Sequence, residues 1–448
     1  MVLKIKIKRG LDIPIAGAPE QVIGGGRSLQ TVAAMSTDYF GLRPRVLVEP
    51  GQAVGLGEPL FLDKRDTAVQ YTAPASGRVL EVNRGRRRVL QSVVIELDET
   101  ASAAKTFERV SMEDPDSIRK LLLQSGAWTS FRTRPFDRVP DSRSSPRSMF
   151  ITAIDTRPLA ANPRVVIESR ANEFSLGMQA IAKLSEGPVF LCTGPDWTGP
   201  EAASNAIQRV EFSGPHPAGL PGTHIHCLDP VGADREVWHI DYQDVIAIGY
   251  LFKNGRLSSE RIVAVGGPGA VTPRLLRTRP GANISQLMAD EIASSQPCRI
   301  IAGSVLDGCA AEGPLGYLGR YDNQVSVVFQ SASRQRFGWF GHGSDKLSSA
   351  GLRQFLVKRK ARIDFSDDQN GRRVAMIPVE AFEQVMPLDI LPAPLLRALL
   401  IRDTGAALAL GCLELGEDDL ALSSFVCPAK QDYAAALRAS LDQIEKEG

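Results

Sequence analysis

The chain has 448 residues, too many for one ordinary hydrophobic core, so three or four domains are expected. Its 52 basic and 51 acidic side chains give a net charge of +1, which points to neither nucleic acid nor an acidic partner. With 43% apolar residues it is a globular composition, and no apolar run approaches the ~20 residues a membrane helix needs.

The start, Met1–Lys8, alternates apolar and basic residues. It reads as an exposed strand with Lys on one face, not as a signal peptide. Soluble and cytoplasmic is the default reading, with a peripheral membrane position open. Residues 1–103 are short β-type runs broken by Gly and Pro: Val48–Val54, Gly57–Leu60 and Ala73–Val79. Their spacing resembles the barrel-sandwich fold of biotinyl and lipoyl domains. Those domains carry a modifiable Lys at a hairpin tip, eight residues before the position of Pro74. Here that position is Asp66, and Lys64 is out of register by two, so carrier chemistry is not expected. The basic run Arg84–Arg88 reads as a solvated hairpin turn, with a docking patch for another subunit as the sharper alternative.

Residues 104–255 alternate helical and strand patterns. Asp116–Gln124 has helical periodicity, with Asp114 or Ser111 as cap. Phe150–Ile154 is a buried strand, and Val165–Ile167 is part of a helix or a strand. Glu173–Leu184 reads as a helix ended by Gly187-Pro188, and Val189–Cys192 follows as a strand. The pattern predicts a Rossmann-like, doubly wound α/β domain. Residues 256–330 return to short strands, with Arg261–Val271 running into a turn, and resemble the soluble-ligand-binding β-grasp module. Residues 331–448 open on the irregular Phe337–Gly343 and end in helices, Leu395–Leu400 and Tyr433–Lys446, giving a mainly helical C-terminal domain. The fold class is thus multidomain α+β and α/β.

Several motifs read as structure. Neither Gly24–Gly26 nor Gly266–Gly269 stands between a strand and a helix, so both are turns and not phosphate loops. Cys192, Cys227, Cys298, Cys309, Cys412 and Cys427 form no close pair, as a cluster or zinc site would require, and read as buried reduced thiols. His224 and His226 would share one face of a strand, yet no third ligand accompanies them, so no metal site is expected. Asp155 follows a strand, where ligands sit in α/β sheets, but capping of the next turn is the simpler role. No Ser/His/Asp or Cys/His arrangement emerges. The segment Ser125–Phe136 is different. It joins Trp128, Phe131 and Phe136 to Arg132 and Arg134 without helical period. Aromatic faces suit a flat apolar ligand and guanidinium groups suit carbonyl oxygens, so a quinone ring fits this mixture. The bland alternative is a loop anchored by its aromatics.

Taken in order, Lys8–Gly17, Thr72–Gly77, Gly126–Phe136, Phe150–Ala160, Leu410–Leu415 and Val426–Pro428 resemble the family of A subunits of the Na⁺-translocating NADH:quinone oxidoreductases, over essentially the whole chain. The local departure is Ile23–Ser28. The resemblance implies a peripheral subunit on the cytoplasmic face of the bacterial inner membrane. That subunit contributes to quinone binding and assembly in a sodium-pumping NADH:ubiquinone reductase, with no complete active site of its own. It implies ubiquinone as substrate and no covalently bound cofactor here. Flavins, iron–sulfur centres and the NADH site belong to partner subunits. Related flavin subunits carry a glycine-rich loop where this chain has Gly126–Phe131, so a lost nucleotide site is expected, with Cys412 and Cys427 left from cluster cysteines. Trp128, Phe131 and Phe136 would pack on the quinone, with Arg132 and Arg134 on its carbonyls. The alternatives are a purely structural docking subunit, or an electron-transfer subunit like the C subunit of the Rnf complex.

Overall fold

The computed structural model describes residues 2–98, 100, 102–200, 206–293, 296–331, 362–369 and 372–447. Phe337–Gly343, with His342, lies outside them.

Nine strands precede the first α-helix: β1 (Leu3–Lys6), β2 (Glu20–Gly24), β3 (Thr31–Met35), β4 (Pro44–Val46), β5 (Ala53–Val54), β6 (Pro59–Asp63), β7 (Gln70–Thr72), β8 (Gly77–Arg84) and β9 (Leu90–Leu97). Seven build the barrel-sandwich body, as a four-stranded sheet in the order β3-β9-β8-β5 and a three-stranded sheet β4-β6-β7. Their alternating inward residues, among them Val32, Val54, Phe61, Val79 and Ile95, are buried. The basic run turns the β8–β9 hairpin, with Arg87 and Arg88 at positive φ. At the β6–β7 tip, Asp66 Oδ2 accepts the Ser142 N–H at 2.7 Å, so the carrier position is a docking contact. β1 and β2 join other sheets.

The next body begins at α1 (Pro115–Ser125). Asp114 caps it by accepting the Asp116 and Ser117 N–H groups, and Gly126 at φ +79° ends it. Then come β10 (Arg132–Arg134), β11 (Met149–Ala153), α2 (Pro163–Ser169), α3 (Ala171–Ala182), β12 (Val189–Thr193), β13 (Ile207–Ser213), α4 (Pro221–Leu228), β14 (Val237–Asp241) and α5 (Tyr242–Asn254). The sheet order is β1-β13-β12-β11-β14-β10, parallel throughout except for β10 against β14. Residues Met149–Ala153 and Val189–Thr193 are buried without a break, as expected of parallel strands covered on both faces. His224 and His226 lie on α4 and not on a strand; Pro221 at its first turn starts the helix. Val165–Ile167 is helical.

The third sheet comprises β15 (Arg261–Gly266), β16 (Arg274–Thr278), β17 (Cys298–Ala302), β18 (Cys309–Ala310) and β19 (Gln324–Phe329), with the short helix α6 (Ile284–Leu287). Its order is β18-β17-β19-β15-β16-β2, so the sixth strand comes from the N-terminus. Helices Pro392–Ile401 and Tyr433–Glu447 and three shorter ones pack a fourth core around Leu395, Leu399, Leu437 and Leu441. Leu11, Ile13 and Ile15 are buried in that same core.

The helices α3 and α5 cross through two glycines. A Cβ at Gly249 would meet the Glu173 carbonyl oxygen at 1.7 Å, and one at Gly177 would meet that of Val245 at 2.0 Å. Gly249→Ala should therefore destabilise the fold by about 1–3 kcal/mol although alanine is the better helix former. Urea denaturation measures this, and an unchanged or raised stability would contradict the close crossing.

Candidate functional site

The Ser125–Phe136 segment is placed by burial of its large side chains. A 3₁₀ turn, Ala127–Ser130, follows α1 and turns Trp128 inward. Trp128 and Phe131 are fully buried and meet Trp238 of β14, with ring centroids 5.3 to 5.7 Å apart. The Trp128 Nε1–H donates to the Pro140 carbonyl at 2.9 Å. Arg134 is also fully buried and pairs with Asp137, Asp418 and Asp419. Phe136 is half-buried against the C-terminal helical core, and its carbonyl accepts from Arg438 at 2.9 Å. Only Arg132 of the five expected ligand residues faces a cavity. Its guanidinium binds Asp137 Oδ2 at 2.9 Å and lies 4.6 Å from the centre of the Tyr321 ring. Trp128, Phe131 and Arg134 thus present no surface to a ligand; they hold the segment.

Two cavities flank the segment. The first, about 110 Å³, lies where the barrel-sandwich, the α/β body and the third sheet meet. Ala33, Ala34, Tyr39, Gly126, Ala127, Thr129, Ala247, Leu257 and Leu318 line it, with Asp38, Asp244, Glu260, Arg261 and Arg320 as its charged or ionisable members. The second, about 260 Å³, is a cleft that includes Thr152, Ile154, Asp155 and Asp241. These residues mark the carboxyl ends of β11 and β14. The chain runs β11, β12, β13 in one direction and then places β14 on the other side of β11, so the cleft sits at the topological switch point. Its lining holds eight carboxyl groups (Asp38, Asp137, Asp155, Asp241, Asp307, Asp322, Glu417 and Asp418) against Arg132 and Arg157.

One wall divides the two spaces. Arg320 lines the first and Tyr321 the second, and Asp38 lines both. Tyr321 donates to the Thr129 carbonyl at 2.9 Å, and Arg320 Nη2 donates to Ser130 Oγ at 2.8 Å. Asp244 Oδ1 accepts from Arg320 at 2.8 Å and from Arg261 at 2.9 Å.

The titrations follow from burial and neighbours. Burial pushes Asp38 up to about 7, against the Arg320 N–H it accepts, and raises Asp241 and Asp322 to about 6. Asp137 and Asp244 are buried too, yet their arginine partners hold both below the usual carboxylate range. Burial lowers His239 to about 4, and His216 and His224 to about 3.

Other expected sites resolve into structure. Asp155 Oδ1 accepts the Arg157 N–H at 2.8 Å, the turn-capping role. His224 bonds the Ala218 carbonyl, and His226 pairs with Glu414 at 2.7 Å. Cys192, Cys412 and Cys427 are buried, but Cys227 and Cys309 are exposed and Cys298 is half-buried, which corrects the expectation for three of the six. Among the described residues no three His, Cys, Asp or Glu side chains are grouped to hold a metal ion. Asp38, Asp244, Arg320 and Tyr321 were not singled out by sequence reasoning. The dense polar run Arg320–Asn323 between apolar strands was the available signal.

Three family models match the chain. They are the NqrA N-terminal barrel-sandwich hybrid domain over residues 5–98, the NqrA second alpha/beta domain over residues 113–257, and the NQRA C-terminal domain over residues 262–313. The A subunit of the Na(+)-translocating NADH-quinone reductase from Rhodopirellula baltica is 46% identical, covering 99% of this chain and 98% of its own. The protein of the same name from Neisseria gonorrhoeae is 47% identical over 99% and 100%. That of Actinobacillus pleuropneumoniae is 48% identical over 99% and 100%.

Two outcomes follow from the buried charges. Arg134→Met leaves buried Asp137 with Arg132, and Asp418 with Arg157, as the remaining arginine partners, and should cost up to about 3–5 kcal/mol in denaturant unfolding; a loss below about 1 kcal/mol would contradict the pairing. The raised carboxyls hold protons that the unfolded chain releases, so their contribution to stability is lost as pH rises towards 7. The lowered histidines contribute above the unfolded value of about 6.5, and that part is lost as pH falls from there. The two sets oppose each other between pH ~4 and ~6.5 and neither changes further above about 7, so the Tm of the purified chain should be level from pH ~7 to ~8; a steep change of Tm over that window would contradict this.

Proposed function

The chain belongs to the NqrA family, the A subunits of the Na⁺-translocating NADH-quinone reductases, and we propose that it provides the binding site for a quinone headgroup in such a complex. Its homologues are the A subunits of this oxidoreductase. The observation that carries the quinone reading is the junction cavity. Its lining is more apolar than polar and rich in small residues such as Ala33, Ala34, Ala127 and Ala247, which suits a flat ring, and the guanidinium groups of Arg261 and Arg320, fixed on Asp244, are in that lining to meet a carbonyl oxygen. The Trp–Arg–Phe segment takes part with divided labour. Gly126, Ala127 and Thr129 face the ring, while Trp128, Phe131, Arg134 and Phe136 hold the turn in place and Arg132 orders the neighbouring cleft.

We read the chain as peripheral, on the cytoplasmic face of the bacterial inner membrane, with ubiquinone as substrate. No helix among the described residues is long and apolar enough to cross a membrane, which supports the peripheral position. We place flavins, iron–sulfur centres and the NADH site in partner subunits. In support, a dinucleotide pyrophosphate at the switch-point cleft would meet eight carboxyl groups and two arginines. The domains are read as 1–103, 104–255, 256–330 and 331–448. The parallel sheet with its switch point favours a Rossmann-like second domain, and the mixed third sheet accommodates the β-grasp reading.

A purely structural docking role has its own observation: Leu391, Ile401 and Leu408 are exposed apolar side chains around one helix pair of the C-terminal body.

Ala247→Leu on α5 keeps helix propensity and fills the junction cavity. In the assembled complex it should raise the quinone KM by about tenfold, the loss of about 1.4 kcal/mol of binding, and leave the NADH KM unchanged. Unchanged quinone kinetics with reduced recovery of the complex would favour the docking role instead.

A further inference from the structure

Asp38 ends the short turn after β3 and is in contact with both cavities. Its Oδ2 accepts the Arg320 backbone N–H at 2.7 Å, which fixes the carboxyl in the dividing wall. Asp322 follows two residues after Arg320, and Asp155 and Asp307 line the same cleft. Three carboxyl groups line the junction cavity: Asp38, Asp244 and Glu260. Asp244 is tied to Arg261 and Arg320, and Glu260 to Arg170 and Arg277, so both are held as carboxylates. Tyr39 also lines the cavity, but burial raises its hydroxyl and keeps that proton in place.

We propose that Asp38 passes protons from the acidic cleft to a quinone held in the junction cavity. This rests on the quinone reading above and adds a residue and a route to it. Reduction of a quinone to a quinol takes up two electrons and two protons. The electrons come from NADH by way of the partner subunits. At each proton transfer the Asp38 O–H bond breaks as an O–H bond forms on a quinone oxygen. The carboxylate left on Asp38 regains a proton from the cleft, and the cleft carboxyls regain theirs from water. Burial and the nearby Asp322 keep Asp38 protonated to about 7, so the acid is charged with a proton near neutrality, and Asp241 and Asp322 behind it titrate at about 6.

The test uses the assembled complex in native membranes. Asp38→Asn keeps the shape and the acceptor for the Arg320 N–H. It should lower kcat for NADH:quinone reduction by at least about tenfold, leave the quinone KM within about twofold, and spare NADH oxidation by ferricyanide, which takes electrons without protons. Asp38→Ala should lose the same turnover and recover part of it with added formate; Asp38→Glu should retain most of it. Should Asp38→Asn not assemble, Asp38→Ser carries the same expectations. Full turnover in Asp38→Asn, or a loss in Asp38→Ala that formate does not relieve, would overturn the proton role. The Ala247→Leu complex separates the two ideas. A raised quinone KM there with full turnover in Asp38→Asn removes only the proton role, whereas an unchanged quinone KM removes the site and the proton role together.

Discussion

Asp244 is the constraint on which the junction depends. It is 2% exposed and lies on α5 of the α/β body, and its charge is met by Arg261 of β15 and by Arg320. A carboxylate so deeply buried is costly unless it is paired with good geometry. The two arginines come from the third sheet and its loop, so the pairing fixes how that body sits on the α/β body. Arg320 extends the same lock. Its Nη2 reaches Ser130 in the Trp–Arg–Phe segment, and its backbone N–H reaches Asp38 of the barrel-sandwich. Arg320 thus registers three bodies, its own and the α/β body through its guanidinium and the barrel-sandwich through its backbone N–H. The cavity between them is a product of that register and not of any one domain.

A second buried lock ties the α/β body to the C-terminal helices. Arg134 of β10 reaches Asp418 and Asp419, and Asp137 shares it with Arg132 and His239. The first lock meets the 3₁₀ turn at Ser130, and the second begins at Arg134, four residues further along the same segment. Such rigid support would suit the flat quinone ring proposed for the junction cavity.

Much of the architecture was legible from local patterns. The Pro–Gly punctuation and short alternating runs before residue 100 carried the barrel-sandwich, because turn residues and period-two burial are local properties. The uninterrupted apolar runs at Phe150–Ile154 and Val189–Cys192 carried the parallel sheet. Asp114 was one of two caps open to α1, and it is the one the helix uses in place of Ser111. The site was less legible, since its partners are remote in the chain. Trp128 packs on Trp238, and Arg134 meets Asp418 at a separation of 284 residues. Composition marked the segment as unusual but could not say which of its side chains point inward. His224 and His226 misled for a related reason: two apolar-flanked histidines at spacing two fit a strand, and only Pro221 spoke for a helix start.

The first 24 residues serve three bodies. β1 pairs with β13 of the α/β sheet, Leu11–Ile15 enter the C-terminal helical core, and β2 completes the third sheet beside β16. The partners of this segment are translated about 200 to 400 residues after it. The barrel-sandwich after it has local pairings and can close early, whereas the leader must wait for the last helices. The packing of Leu11, Ile13 and Ile15 is therefore tied to synthesis of the C-terminal helices. A truncated chain would leave Leu11, Ile13 and Ile15 uncovered, a signal by which a cell's proteases could recognise unfinished copies.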